Sequence, residues 1–245
     1  MKIKTVCLLV FLIGYGALIS KAQITDEADY NREFIWGITK STNSGLIGGF
    51  IFKYNVALNA RHYHGVSLDI VNIKHPQEQR DYSRITGNTF IIGKENYLYN
   101  IRLNYNRELV VFRKAPQQGV QINLVGAAGP IFGLESPYYI ELQSEAGARN
   151  SVKVPFDHTQ HLQRYNDIMG SGNIFQGLFQ SNVVPGANIK AAIAFEFGTF
   201  KSNVVGIEAG FIVDFYTREI QIIPTSKNFS TFPAVYTTLF YGSRK

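Results

Sequence analysis

The feature that most constrains this chain is an alternation of apolar and polar side chains between residues 95 and 134. The odd positions of its first run are aromatic or aliphatic: Tyr97, Tyr99, Ile101, Leu103 and Tyr105. The facing even positions are polar: Asn100, Arg102, Asn104 and Asn106. A period of two is that of a β-strand. Turn residues follow at 114–119, and a second alternating run resumes at Val120, so this stretch predicts a long antiparallel hairpin.

The same alternation recurs in other segments, so we predict an all-β chain of eight strands. The six segments outside the hairpin are 33–40, 46–57, 64–73, 186–200, 204–216 and 234–242. The pair Gly48-Gly49 in the second strand predicts a bend or a close backbone contact. Two further segments, 138–143 and 218–223, could supply more strands, which leaves a ten-stranded arrangement open.

The connections between these strands alternate in length. Those after odd-numbered strands are 41–45, 74–95, 135–185 and 217–233, and three of them are long. Those after even-numbered strands, 58–63, 114–119 and 201–203, are short. This sorting is typical of outer-membrane barrels, whereas a soluble β-sandwich has no reason for it. We therefore predict a closed antiparallel up-and-down transmembrane β-barrel, with the long connections outside the cell and 217–233 as a loop or an overhanging hairpin.

The polar faces of the predicted strands carry charged side chains, and the apolar faces carry almost none. The charged residues assigned inward are Lys53, Asp69, Arg102, Lys190, Glu196, Glu208 and Asp214. Such charges would be costly in a soluble core, but in a narrow barrel they can pair and stay partly hydrated. Eight strands leave an interior that side chains can fill, so we expect a plugged lumen.

Residues 1–22 have the pattern of a cleaved secretory signal: two lysines, an apolar run from Val6 to Ile19, and small residues before Gln23. This run is too short for a spanning helix, which needs about 20 apolar residues. Cys7, the only cysteine, lies within it. Removing the signal lowers the net charge from +6 to +3, and no basic run interleaved with aromatics suggests nucleic acid as a partner.

The remaining chain is predicted to comprise a short periplasmic leader at 23–32 and the barrel domain at 33–245. Inside the longest connection, Asp157-His-Thr-Gln160 is similar to a capping box. Leu162, Tyr165 and Met169 fall near helical spacing, and Gly170 stands where a C-terminal cap would lie. These residues predict one short helix in a long extracellular loop.

Several short motifs resemble a known group of proteins. They are Lys21-Ala-Gln23, Gly126-Ala-Ala-Gly-Pro130 with Gly133 and Pro137-Tyr-Tyr139, and the closing Leu239-Phe-Tyr-Gly-Ser-Arg244. In these the chain resembles small outer-membrane β-barrel proteins of the Bacteroidota. That resemblance implies the barrel fold and an outer-membrane location. The group is functionally heterogeneous, and it implies no catalytic residue, cofactor or metal ligand.

One cluster of side chains could be imagined as a metal site. His158 and His161 are three residues apart on the predicted helix, with Asp157 and Asp167 nearby. A polar face on a surface helix explains the same residues, and Asp157 is already assigned as the N-cap. We therefore assign no metal ligand and no cofactor.

Enzyme hypotheses are weak. His64 and Ser67 on the third strand have an odd separation, which places them on opposite faces, and the same holds for His62. His75 and Asp81 could pair at the rim, but nothing in the sequence positions them. The run 126–129 lacks the lysine and the helix of a phosphate loop, and small residues in a strand more simply allow tight packing. We therefore predict no catalytic residue and no enzymatic activity.

Two functional hypotheses remain. In the first, the barrel is an interaction, accessory or surface-binding protein that acts through the loops 74–95 and 135–185. In the second, it is a porin-like transport barrel for a small solute. The expected plug favours the first, with membrane lipid and other proteins as partners.

Overall fold

A computed structural model describes residues 30–113, 119–144, 150–161, 163–197 and 202–245, leaving out the side chains of residues 46 and 47. The predicted signal peptide, the leader up to residue 29, most of the turn at 114–119 and the first residue of the turn at 201–203 lie outside the described residues. No helix of the described parts is long and apolar enough to cross a membrane.

Strands dominate the described chain. In chain order they are β1 (Arg32–Ser41), β2 (Ser44–Ala57), β3 (His62–Ile73), β4 (Arg80–Tyr82), β5 (Thr89–Ile91), β6 (Asn96–Phe112), β7 (Gln121–Pro137), β8 (Tyr139–Gln143), β9 (Ser151–Pro155), β10 (Ile168–Ser171), β11 (Asn182–Phe197), β12 (Asn203–Ile220) and β13 (Phe229–Arg244). One α-helical turn, α1 (His158–His161), lies between β9 and β10, and the described residues also form 3-10 turns at Tyr165–Asp167 and Leu178–Gln180.

Eight of these strands form a closed barrel, which confirms the predicted fold. Their order around the wall is β1-β13-β12-β11-β7-β6-β3-β2, and every neighbouring pair is antiparallel. The first and last strands close the ring, with Trp36 opposite Tyr241. The ten-stranded alternative is not realised, because Tyr139–Gln143 joins a separate sheet and Arg218–Ile220 only lengthens β12.

Side chains alternate across the wall as predicted. The outward-facing ones are large and apolar, and the most exposed of them in the strands include Phe211, Leu239, Ile189, Val66 and Ile38. Within β2, the close approach predicted at the glycine pair is present: a Cβ on Gly48 would lie 2.1 Å from the carbonyl oxygen of Thr39. The β2–β3 register shifts between Ser44 and Gly49, which places the predicted bend at that point.

The long connections gather at one end of the barrel, called here the cap end, and the short ones at the other, called the turn end. At the cap end, the predicted overhanging hairpin is present, since Ile220 pairs with Phe229. The connection 74–95 contains the hairpin β4–β5, and the connection after β7 contains the sheet β10-β8-β9. Neither sheet was predicted from the sequence.

The predicted helix is present at its expected start but ends after one turn. Tyr165 lies in a 3-10 turn, and Met169 and Gly170 lie in β10, so the predicted C-terminal cap at Gly170 is wrong. Leu162 lies outside the described residues. The physical reason is the sheet: Ile168 pairs with Leu142 of β8, so this backbone forms a ladder and cannot continue the helix.

Candidate functional site

The lumen is filled by charged and amide side chains from all around the wall. The predicted inward residues are 0 to 4% exposed, which confirms their assignment: Lys53, Asp69, Arg102, Lys190, Glu196, Glu208 and Asp214. Sequence analysis missed Glu33, Glu108 and Arg244, which also point inward. Alternation along the strands could have identified them. Glu108 continues the inward even-numbered positions of β6. Glu33 and Arg244 lie an odd number of residues from the outward-facing Phe34 and Tyr241, so they face inward.

The centre of the lumen holds a chain of ion pairs that spans its width. Lys53 of β2 lies 2.7 Å from Glu108 of β6 and 3.0 Å from Glu208 of β12. Lys190 of β11 lies 2.8 Å from the same Glu208, which also accepts a 2.6 Å hydrogen bond from the Tyr236 hydroxyl. One carboxylate thus bridges two buried ammonium groups from opposite sides of the wall.

A second pair lies nearer the cap end. Arg102 of β6 donates two hydrogen bonds to Asp214 of β12, Nε to Oδ1 at 2.9 Å and Nη2 to Oδ2 at 2.6 Å. Asn100 donates to the same carboxylate at 2.9 Å and accepts from the Tyr216 hydroxyl at 2.6 Å. Bidentate geometry of this kind fixes both side chains, so they cross-brace β6 and β12 through the interior.

At the turn end, Arg244 of the last strand connects three elements. Its Nε lies 2.5 Å from Glu33 of β1, and its Nη2 pairs with Glu196 of β11. The guanidinium also lies 3.9 Å from the ring centroid of Tyr30. The first and last strands of the barrel are therefore joined inside the lumen as well as along the β1–β13 ladder.

Apolar side chains close the lumen at the cap end. The cluster comprises Val71, Ile73, Leu98, Ile131, Val184, Tyr216, Ile220, Ile222, Ile223 and Phe232. Ile222 and Ile223 come from the β12–β13 connection, and the Ile222 carbonyl accepts a 2.9 Å hydrogen bond from the Glu95 amide. Below this seal, a small cavity beside Arg102 and Lys190 measures ≈ 10 Å³, about the space of one water molecule.

The connections at the cap end fold into a unit of their own, called here the cap: the described parts of 74–95, 138–181 and 221–228. Its apolar core comprises Phe90, Tyr138, Ile140, Leu142, Phe156 and Ile168, and Tyr97 of β6 packs with them. The hairpin and the three-stranded sheet are linked directly, because the Ser83 hydroxyl donates to the Ile168 carbonyl at 2.6 Å. The Ile91 amide likewise donates to the Tyr138 hydroxyl at 3.0 Å.

Few charges are buried in the cap. Lys94 is 1% exposed and lies 2.6 Å from Glu78 and 4.3 Å from the ring centroid of Tyr97. Burial lowers the pKa of the Lys94 ammonium, and the nearby Glu78 carboxylate opposes that change. The Tyr165 hydroxyl donates to Asp81, which ties the segment after α1 to the hairpin β4–β5.

Three of the four residues considered for a metal site are committed to other partners, whereas the Nδ1 atom of the fourth, His158, is buried without a hydrogen-bond partner. Asp157 accepts hydrogen bonds from the Thr159 amide at 2.8 Å and the Thr159 hydroxyl at 2.6 Å, the bonds of an N-cap. His161 accepts at Nδ1 from the Asp157 amide at 2.9 Å, and Asp167 pairs with Arg164 at 3.0 Å. In the described parts of the chain, no group of three or more His, Cys, Asp or Glu could hold a metal ion.

The residues considered for hydrolysis are separated. Ser67 points into the lumen and lies 3.3 Å from Asn106, whereas His64 is outside the wall, 3.3 Å from the Tyr105 hydroxyl. His62 also faces outward, at the start of β3. In the cap, His75 contacts the Lys227 carbonyl at 3.1 Å, whereas Asp81 is bound by Tyr165.

The small-residue run 126–129 lies within β7, as the strand hypothesis predicted. Only one of its glycines is required by packing. A Cβ on Gly129 would lie 1.9 Å from the Leu103 carbonyl oxygen, whereas one on Gly126 would have nothing within 4 Å.

Comparison with known proteins gives a similarity of fold alone. No protein-family model and no curated protein matches the chain. Among solved structures, it is similar to the N-terminal β-barrel domain of Pseudomonas aeruginosa OprF, with 8% identity, TM-score 0.36, and 90% of this chain and 100% of that chain covered. It is also similar to the attachment invasion locus protein Ail of Yersinia pestis, with 11% identity, TM-score 0.40, and 88% and 99% covered. A third similar structure is that of Neisserial surface protein A, with 9% identity, TM-score 0.38, and 89% of this chain and 96% of that chain covered. Similarity at this level carries no argument about activity, and the barrel assignment rests on the strand pairing of this chain.

Proposed function

We propose that the protein is an integral outer-membrane β-barrel that does not conduct and that acts through its cap as an interaction, accessory or surface-binding protein. Residues 1–22 would direct export as a cleaved signal, and the cap would face the cell exterior. The short motifs named above support a place among the small barrels of the Bacteroidota. No catalytic role and no cofactor form part of this proposal.

The outer wall supports the membrane location. A closed ring of strands satisfies its backbone hydrogen bonds within the wall, which is the condition for a β-structure in hydrocarbon. The side chains on the outside are those that lipid favours: Phe211 is 67% and Leu239 61% exposed. Monomeric soluble proteins rarely carry apolar patches larger than a few hundred Å², so a wall of this kind argues for lipid around it.

The filled lumen is the observation that carries the functional part of the proposal. Lys53, Glu208 and Lys190 cross the interior as a connected series of ion pairs, and the cluster around Leu98 closes the cap end. A solute would have to displace both. Transport of a small solute, the alternative hypothesis, therefore finds no support in the lumen.

The cap supplies a surface on which binding could occur. It is built around its own apolar core, yet several of its large apolar side chains remain outside: Phe179 is 100%, Tyr82 67% and Phe175 60% exposed. Exposed aromatic side chains on a folded surface are typical of contact sites. Such side chains support interaction with another molecule at the cell surface.

Conductance tests the proposal most directly. We expect the purified protein in planar lipid bilayers to give no sustained open-channel current. The variant Arg102→Gln should lower stability without opening a path, because it leaves Asp214 short of its bidentate partner. Stable, ion-selective current steps from the unaltered protein would contradict the proposal and favour transport.

Orientation is tested with a matched pair of cysteine variants. Cys7 in the predicted signal is the only cysteine of the sequence, so Ser151→Cys in β9 and Ser202→Cys at the turn end each introduce a single reporter thiol in the exported chain. Both serines are exposed. On intact cells, a membrane-impermeant maleimide should label the first and not the second. Labelling of the second alone would reverse the orientation, and recovery in the soluble fraction would reject the membrane location.

A further inference from the structure

A groove of ≈ 730 Å³ lies on the outside of the wall at the turn end, across β3, β6, β7 and β11. Apolar and small side chains line most of it: Leu58, Leu109, Leu124, Gly126 and Ala191. Its polar lining residues are His62, Arg107, Asn59 and Glu108, and the Glu108 carboxylate is turned into the lumen, where it pairs with Lys53. The register places Arg107 directly beside Gly126, and Gly126 beside Ala191, so a cation borders a floor without large side chains.

The groove is not a by-product of close backbone packing. Most wall glycines are fixed by a neighbouring strand, as at Gly129, where a Cβ would lie 1.9 Å from the Leu103 carbonyl oxygen. Gly126 is different, since no atom lies within 4 Å of its Cβ position. A larger side chain would fit here on packing grounds, and elsewhere on the outer wall side chains as large as Phe and Leu fill the equivalent positions.

Charge at this end of the molecule is sorted by direction. The acidic groups at the turn end, Glu33, Glu108 and Glu196, are buried in the lumen. The basic ones on the outside include Arg107, Arg32, Arg61, Arg113 and Lys245. Within the described residues, no Asp or Glu at the turn end faces outward. As far as the structure describes it, the rim around the groove is therefore electropositive, which suits an anionic ligand.

We propose that this groove binds a phospholipid of the periplasmic leaflet, with an acyl chain over Gly126 and Ala191 and the phosphate at Arg107 and His62. The proposal rests on the membrane location proposed above. A phospholipid combines an apolar chain with a phosphate at one end, which matches the groove, and a guanidinium can bind a phosphate with two hydrogen bonds. A second copy of the chain fits less well, because a two-fold contact would bring this basic surface against itself.

Two lipids and three variants test the proposal. Delipidated protein in mild detergent is titrated with palmitoyl-oleoyl phosphatidylglycerol or with the diacylglycerol of the same chains, and bound lipid is counted by native mass spectrometry. Gly126→Leu fills the floor and should weaken retention of both lipids about tenfold, as expected for lost apolar contact worth about 1.4 kcal/mol. Arg107→Gln should weaken retention of phosphatidylglycerol by about tenfold and leave diacylglycerol unchanged. Ala128→Leu, two residues along the same outward face, is the matched control and should retain both lipids.

Each other outcome overturns the proposal. Equal lipid retention by the unaltered protein and by Gly126→Leu would place the lipid elsewhere on the outer wall. A dimer that Gly126→Leu converts to a monomer would make a second copy the occupant. Heat-modifiable migration on gels and membrane fractionation, measured for every variant, separate these results from a failure of the barrel proposal itself.

Discussion

The barrel and the cap are built on opposite plans within one chain. The barrel buries ions and amides, such as Lys53 and Glu208, and exposes Phe211 and Leu239. The cap buries Phe90, Tyr138 and Ile140, and places its sheet and hairpin around them as a small soluble domain would. The difference teaches that the same amino acids are sorted by the surrounding solvent, which is lipid for the wall under our proposal and water for the cap.

The largest expected effect comes from the polar interior of the barrel. Glu208→Leu leaves the Tyr236 hydroxyl without its partner, Lys190 with the more distant Asp69 at 3.9 Å, and Lys53 with one partner fewer. Breaking a buried pair in this way costs about 3–5 kcal/mol of unfolding free energy. Urea unfolding in phospholipid vesicles, followed by the fluorescence of Trp36, measures it. Glu219→Gln on the exposed end of β12 is the control, with a change within about 0.5 kcal/mol. Equal effects would mean that the lumen network is not a stabilising element.

The next effect belongs to the apolar interior of the cap. Ile140→Ala removes a fully buried side chain, which costs about 2–5 kcal/mol. The loss should be local, so limited proteolysis should cut within 138–181 while the unfolding midpoint of the barrel stays the same. Val152→Ala, on the neighbouring strand and 50% exposed, is the control. A shift of the barrel midpoint would show that cap and wall unfold together.

A third prediction compares the outer surface of the barrel wall with the outer surface of the cap. Phe211→Arg places a charge on the wall surface assigned to lipid, which costs about 2–4 kcal/mol near the membrane centre. Val152→Arg makes a similar change on the cap surface and should cost less than about 0.5 kcal/mol. Urea unfolding of both variants in vesicles measures the difference. Equal tolerance of the two arginines would place the wall in water.

The smallest effect is a pH dependence confined to the cap. Burial lowers the pKa of His161 from its ordinary value of 6.5, and Arg164 acts in the same direction while Asp157 opposes it. The neutral ring accepts the Asp157 amide at Nδ1, so protonation removes a hydrogen bond worth about 0.5–1.5 kcal/mol.

The sign of this dependence follows from proton uptake. Between the lowered pKa and 6.5 the unfolded segment binds more protons than the folded one, so stability falls as the pH decreases through that window. The hydrogen-exchange protection factor of the Asp157 amide should therefore fall on acidification, and it should fall less in His161→Gln. The same pH dependence in that variant would assign the effect to another group.

Much of the barrel could be predicted because its wall obeys a single rule along its whole length. Alternation identified the strands, and it placed residues such as Arg102 and Glu208 inward. The same alternation would have placed Glu108 inward, because Glu108 continues the even-numbered positions Asn104 and Asn106 of β6. Arg244 was missed because the last strand was ended at residue 242, before the pairing with Glu33 that extends it.

The cap could be predicted only in part. Its strands β8 and β9 are five residues each, too short for a period of two to stand out. The helix start was correct because Asp157 is a local signal. The helix end was wrong because the pairing of Ile168 with Leu142 is set by distant residues. The groove at Gly126 could not be predicted from the sequence. A glycine that close packing requires and a glycine with open space beside it cannot be told apart by residue type.

The ion pairs of Arg244 have a consequence for how the protein is made. Glu33 and Arg244 are 211 positions apart, and their pairing completes only when the final strand joins the first. Until then Glu33 and Glu196 lack this cation, and closing so long a loop is slow. Ring closure and charge neutralisation therefore coincide, and both depend on Arg244. A chain shortened by Arg244 and Lys245 should stall as an open sheet and be degraded during biogenesis.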